Sequence, residues 1–287
     1  MNTKRARSER SKTAIRVRSG ARCSTAVGTE VRAEESSRVD IVDAARGVAI
    51  AMMITYHFCF DLTYYGWAQW AMLDDPRWVA WRTTIVASFL VLAGISLALR
   101  DARDLARDEQ TADPRAANKA FVRRWLQVAA AALFVTAGSV LLFPATFIYF
   151  GVLHFVAIAL WVCRRAPRLS AWAIVLGVIA IALGTLMHDA AFDPRAINWI
   201  GFAEHKPLTE DYVPLFPWLG VVLIGCGAGA LWTRRDCRLS PLASRVWQAL
   251  PHRPRTLLAT SGRWSLTIYL VHQPILIGAM GLIKQLR

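Results

Sequence analysis

Five cysteines in 287 residues form no CxxC pair, and no HExxH or HxxxH spacing occurs, so the chain carries neither a zinc framework nor a disulfide scaffold. Cys59 and Cys226 fall within apolar stretches, and free, buried thiols are the expected state. No glycine-rich nucleotide loop is present. There is also no internal repeat and no matched pair of broken helices, the usual marks of an inverted-repeat transporter. Acidic residues are few, 20 against 34 lysines and arginines, for a net charge of +14. The basic residues lie in connections between apolar blocks rather than on one soluble face. They read as topology determinants and contacts for anionic lipid, and nucleic acid is not an expected partner. Residues 1–39 lack an apolar run, which excludes a secretory signal and leaves a disordered, basic cytoplasmic tail as the expectation.

What the chain has in quantity is apolar length. The hydrophobic fraction is 55% and the mean hydropathy is +0.34. The excess falls into blocks of about 17–25 residues, enough to cross roughly 30 Å of hydrocarbon at about 1.5 Å per residue. Seven spans are expected: Ile41–Tyr65, Trp78–Leu99, Val122–Phe143, Phe147–Cys163, Ser170–Met187, Val213–Trp232 and Trp264–Ile283. Lipid offers no partner to backbone N–H and C=O groups, so each span must be helical. The fold class is therefore all-α, a polytopic transmembrane bundle over residues 40–287.

Orientation follows from the cations. Of the 34 lysines and arginines, 27 gather on one side of the seven-span scheme, in the tail and in Arg100–Arg124, Arg164–Arg168 and Arg234–Arg263. Six fall on the other side, and Arg46 lies within the first span. The cation-rich side is cytoplasmic, which puts the N-terminus inside and the C-terminus outside. Tryptophans agree: Trp67, Trp70, Trp78, Trp81, Trp199 and Trp218 lie near outer ends, and Trp125, Trp161, Trp172, Trp232 and Trp264 near inner ones.

The first span, DIVDAARGVAIAMMITYHFCFD, carries most of the chemistry. Ionisable residues inside a membrane are costly and face a cavity or a partner. At about 100° per residue, Asp43, Arg46, His57 and Asp61 share one helix face. Arg46 lies about 8 Å from the inner end and His57 about 24 Å from it, by helical rise. A guanidinium at that depth suits phosphate arriving from the cytoplasm. An imidazole deep in the bundle suits proton transfer or nucleophilic attack, with Asp61 one turn on as an orienting carboxylate. The plainer alternative is a local Asp43–Arg46 ion pair and a histidine that hydrogen-bonds between helices.

Other polar positions are sparser: His154, His272, Tyr269 and Gln273 are the substrate- or pore-lining candidates, with packing the plainer alternative for each. His154 is expected about 10 Å below the outer end of the fourth span. His272 precedes Pro274, which removes a backbone donor and exposes carbonyls near the histidine. Tyr269 and Gln273 are candidates for bonds across helices. Helical rise gives no two of His57, His154 and His272 a matched depth, which argues against a haem or quinone protein with paired axial histidines. The outer connection, residues 188–212, holds His188, Asp189, Asp193, Glu204, His205, Glu210 and Asp211. It could hold a polyhydroxylated or amine-bearing molecule, although a solvated loop is the plainer reading of any one residue in it.

Four blocks in order, DAARGVAIAMMITYHFCFDL, YFGVLHFVAIA, DYVPLFPWLGVVLIG and SGRWSLTIYLVHQPILIG, resemble the bacterial membrane family related to the heparan-alpha-glucosaminide N-acetyltransferase catalytic domain. The resemblance covers about residues 38–283. Arg46, Gly47 and His57 also resemble the opening helix of the wider membrane acyltransferase group. The resemblance implies transfer of an acyl group, usually acetyl from acetyl-CoA as co-substrate, through the membrane to a sugar or glycan on the far side, with no permanently bound cofactor. It implies His57 as the catalytic histidine, as general base or transient acyl carrier, with Asp61 beside it. It implies Arg46, with Asp43, on the CoA side, and a place in the bacterial cytoplasmic (inner) membrane. The chain is shorter than the lysosomal enzyme and has fewer expected spans. A second function class stays open on the residues alone: a transporter or export component using His57 and Asp61 as a proton relay.

Overall fold

A computed structural model describes residues 40–111, 114–235 and 241–286. The expected tail over 1–39 lies outside the described residues. The chain divides into two units, Met1–Val42 and Asp43–Arg287. Of the first, residues 40–42 are described, as helix, and the second holds every other described residue.

The described residues are helical and contain no strand, with two isolated bridges, Phe150 to Tyr212 and Asp189 to Ala203. The first helix, α1, spans Asp40–Tyr64. There follow α2 (Pro76–Thr111), α3 (Pro114–Leu142), α4 (Val152–Val162), α5 (Ala171–Leu186), α6 (Leu215–Arg234), α7 (Pro241–Ala249), α8 (His252–Arg263) and α9 (Ser265–Gln285). Five segments are long and apolar enough to cross a membrane: Asp40–Tyr64, Pro76–Ala106, Asn118–Leu142, Leu215–Arg234 and Ser265–Gln285. Large apolar side chains such as Leu133, Phe134, Leu141, Trp172 and Ile275 are exposed on helix flanks. Such flanks suit lipid and not water. The chain is a multi-pass integral membrane protein.

The fourth and fifth expected spans differ from expectation in length. The α4 helix has 11 residues and α5 has 16, about 16 and 24 Å by helical rise. The first five residues of the expected fourth span, 147–151, are not helical. Instead the outer connection bonds to Phe147 C=O through Thr209 Oγ1 at 2.9 Å and to Phe150 C=O through Val213 N–H at 3.3 Å, while Ile148 is held by Thr136 and Ser139 of α3. The long cytoplasmic connection expected at Arg234–Arg263 is itself partly helical, forming α7 and α8.

Glycine lets the helices approach to backbone contact, the device that replaces hydrophobic drive inside lipid. The α6 helix packs against α2 and α5. A Cβ on Gly94 of α2 would lie 2.2 Å from the Val222 carbonyl oxygen of α6, and one on Gly225 of α6 would lie 2.4 Å from Val91 O. Gly177 and Gly220 meet each other's backbone in the same way across α5 and α6. The buried core around this contact holds Leu90, Phe155, Val222, Cys163 and Cys226, and both thiols are free.

A second set of contacts fixes α1. Gly47 rests on the Leu258 backbone and Gly262 on that of Asp43, so α8 lies against the inner half of α1. Further up, His57 meets His272, Asp61 meets Gln273 and Tyr65 Oη donates to Ile277 C=O at 3.0 Å. Residue numbers rise together along both helices, so α1 and α9 run parallel. On the outer half of α1, Tyr56 packs edge-on to Trp78 and Trp81, which stack at 5.4 Å.

The glycine seam can be probed by substitution. Gly94→Val should carry the upper end of the roughly 1–3 kcal/mol cost of overpacking, or more, because backbone cannot withdraw. Gly138→Ala meets nothing within 4 Å and should be neutral. Thermal melting of detergent-solubilised protein followed by size exclusion reads both.

Candidate functional site

The apolar remainder of α1 turns the four ionisable residues to one face, and the structure gives that face its neighbours. Asp43 and Asp61 are 4% and 2% exposed, both buried within the bundle. At the inner end, Arg46 Nη1 donates to Asp43 Oδ1 at 2.5 Å and Nη2 donates to Ser96 Oγ of α2. Arg263, at the end of α8, lies 3.4 Å from Asp43 Oδ2. Asp43 thus sits between two guanidiniums. It bridges the two side chains and holds Arg46 in place.

Eleven residues up the same helix, about 16 Å by rise, the His57 ring stands 5.0 Å from the His272 ring and 6.0 Å from Tyr56. Tyr269 lies 5.7 Å from His272. The two histidines therefore meet, against the expectation that no pair shares a depth. Helical rise places each ring by its height on its own helix and ignores how far α9 is shifted along α1. The rings are in packing contact, which leaves no space for a macrocycle between them, so the pairing does not revive a haem site. Among the described residues no group of three His, Cys, Asp or Glu side chains is placed to hold a metal ion.

Asp61 does not reach back to orient His57. Its Oδ1 accepts from Gln273 Nε2 at 2.9 Å, and its Oδ2 is buried without a hydrogen-bond partner. His272 Nδ1 lies 2.7 Å from the Tyr269 carbonyl and 3.2 Å from that of Ile268. The carbonyls engaged are thus not that of Leu270, whose helical partner Pro274 removes.

His154 stands apart from this pair. It occupies the first turn of α4, with Nδ1 accepting from Gly151 N–H at 3.3 Å and Nε2 3.0 Å from Thr136 Oγ1. Both ring nitrogens are engaged at the start of α4, which lies at Val152 and not at Phe147 as expected.

The outer connection is a built cap. Asn198 is 2% exposed, receives Tyr149 Oη on its side chain at 2.9 Å and Tyr212 Oη on its carbonyl at 2.7 Å. Burial pushes the Tyr212 phenol up to about 12, helped by Tyr149 and Asp193. Gly201, at φ 106°, lets the chain turn against the Phe216 carbonyl, where a Cβ would come within 1.9 Å. Asp211 Oδ2 accepts from Val152 N–H at 2.8 Å, capping α4 from the loop. Burial raises the Asp211 carboxyl above the ordinary carboxylate range, against the Val152 bond and the charges of Lys206 and Arg82.

Residues 38–274 match the model of the family described as heparan-alpha-glucosaminide N-acetyltransferase, catalytic. The chain belongs to that family. No curated protein and no solved structure matches it. The stretch shared with the N-acetyltransferase family contains Asp43, Arg46, His57, Asp61, His154, Asp211, Tyr269, His272 and Gln273. The contacts of Ser96, Arg263 and Asp211 were not visible in the sequence. Arg263 lay in a run of seven cations with nothing to single it out, and Ser96 is one hydroxyl in an apolar helix. Asp211 was visible as part of an acidic loop, but its aim at the start of α4 was not.

The cap contains a pH-dependent clasp. His205 N–H and Nδ1 both engage the Asp193 carboxylate, at 3.0 and 2.8 Å. The side-chain bond and charge of Asp193 hold His205 above its ordinary 6.5. The backbone and side-chain bonds from His205 hold Asp193 below its ordinary 3.8. The histidine contribution is present below 6.5 and is lost as pH rises through the raised value; the carboxylate contribution is present above 3.8 and is lost as pH falls through the lowered value. An NMR titration should place His205 above 6.5, and Asp193→Asn should lower it toward that value, with Glu204 keeping part of the rise.

Proposed function

We propose that this protein is an integral membrane acyltransferase that moves an acyl group, acetyl in the simplest case, from cytoplasmic acyl-CoA to a sugar, glycan or other hydroxyl- or amine-bearing acceptor at the outer face. Membership of the N-acetyltransferase family supports the reaction class. The observation that carries the rest is the single helix face of α1, which joins the arginine-bearing end of the helix to the half-buried His57 imidazole.

On this reading residues 40–287 form the transferase domain and 1–39 a cytoplasmic tail, in a bacterial cytoplasmic membrane. Seven helices cross or enter the bilayer, N-terminus inside and C-terminus outside. The parallel course of α1 and α9 supports an odd number of crossings between them. The short α4 and α5 fit a bundle whose outer end is sealed by the folded cap and not by lipid.

Acyl-CoA is a co-substrate. Its phosphates would meet Arg46 and Arg263, the two guanidiniums that flank Asp43. The pantetheine arm would run along the stripe toward His57. There the imidazole serves the acyl carbon or the acceptor, as carrier or base. Desolvation by the bundle keeps water from competing for the thioester.

His57→Ala, expressed at the wild-type level, should abolish acyl-CoA-dependent modification of envelope glycan or lipid, read by mass spectrometry of deletion strains complemented with each form. Undiminished acylation would contradict the role of His57. Arg46→Ala should raise KM for acyl-CoA by roughly 10-fold, the value of one charge-assisted contact. A C-terminal reporter should be active only outside the cytoplasm.

A further inference from the structure

The upper part of the α1–α9 seam is unusual in its hydrogen bonding. Three buried acceptors there lack a partner among the described residues: Asp61 Oδ2, Gln273 Oε1 and His272 Nε2. Asp61 and Gln273 are bonded to each other at 2.9 Å, His272 adjoins Gln273 in the chain, and the His57 ring links the set at 5.0 Å from His272. Leaving such groups unpaired in an apolar interior is costly, so a cluster of them marks a place for a complementary molecule.

That His272 Nε2 is an acceptor follows from its other nitrogen. Backbone carbonyls accept and never donate, so Nδ1, 2.7 Å from Tyr269 O and 3.2 Å from Ile268 O, must carry the ring proton. In the neutral ring Nε2 then holds a bare lone pair. His272 is 8% exposed, and its ring is locked by its own helix. This is the arrangement of a base set in one tautomer by an orienting acceptor. His57 is positioned by ring packing against His272 and Tyr56.

We propose that His272 is the general base of the site, and that Asp61 and Gln273 receive further N–H or O–H groups of the acceptor. The proposal rests on the acyl-transfer reading and specifies it. The acceptor is donor-rich at its reacting end, a polyol or an amino sugar and not a carboxylate or an ester. As the acceptor oxygen or nitrogen bonds to the acyl carbon, its proton passes to His272 Nε2. As the carbon–sulfur bond breaks, the sulfur departs with the electron pair, and the proton held on His272 neutralises the thiolate. No oxidant or further reactant is needed. His57 is thereby left to face the acyl carbon.

The charged and titratable groups around His272 are His57 and Asp61 on α1 and Tyr269 on its own helix. The test uses the full chain in nanodiscs with acetyl-CoA and a glucosamine or polyol acceptor. His272→Asn retains a donor toward the Tyr269 carbonyl but has no basic nitrogen. Its kcat should fall by about 100-fold or more, with KM little changed and the acid limb of the kcat/KM profile lost. Added imidazole should restore part of the activity of His272→Ala. Asp61→Asn should instead raise KM for the acceptor, by roughly tenfold. Independently of turnover, 15N NMR of histidine-labelled protein, assigned by difference from His272→Asn, should show a neutral Nδ1–H ring. A wild-type protein that transfers nothing overturns the acyl-transfer reading, and the NMR arm still decides His272. An Nε2–H tautomer, or a His272→Asn enzyme with near wild-type kcat and an unchanged pH profile, overturns the proposal.

Discussion

Polar groups placed inside an apolar bundle need partners, and the face of α1 that meets α8 and α9 is where Asp43 and Asp61 find theirs. Asp43 is shared by Arg46 and Arg263 at one end, and Asp61 is held by Gln273 at the other. Between them the histidine rings pack together. Move α9 by one turn along α1 and Asp61 would lose its partner, at a cost that no lipid-facing surface could offset. The rest of the structure serves this register. The α8 helix approaches α1 through Gly47 and Gly262, α2 supplies Ser96, and the glycine-lined α2–α6–α5 stack gives them a rigid wall.

The seam differs between its two ends. Its inner end holds Arg46 and Arg263 about Asp43, where the proposed orientation would bring an anion from the cytoplasm. Its outer half carries bare acceptors, suited to a molecule that brings hydrogens. The cap formed by the outer connection is held together by Asn198, Tyr149 and Tyr212, and Asp211 joins it to α4. An acyl group moved along the seam would meet an activated acceptor in a place that both ends help to keep dry.

Much of this was legible in the sequence, because hydrophobic length and helical periodicity are local properties. The one-face stripe of Asp43, Arg46, His57 and Asp61 needed only the 3.6-residue repeat, and the family resemblance needed only four blocks in order. What escaped depends on contacts between distant segments. The meeting of His57 with His272 is set by the stagger of two helices, which the rise along a single helix does not contain. The start of α4 escapes a reading of the sequence because Phe147–Gly151 is apolar enough for a span yet finds its hydrogen bonds in the outer connection and on α3. The roles of Arg263 and Asp211 likewise appear only once the chain has folded back on itself.

Vectorial transfer is the claim on which the rest turns. It is tested most directly in proteoliposomes containing uniformly oriented protein, with radiolabelled acetyl-CoA supplied on one side and an impermeant amino-sugar acceptor on the other. Label should appear on the acceptor when acetyl-CoA is on the Arg46 side and the acceptor is opposite, and should be absent when the two are exchanged. Equal labelling in both arrangements, or label that requires both molecules on the same side, would contradict a path along the seam.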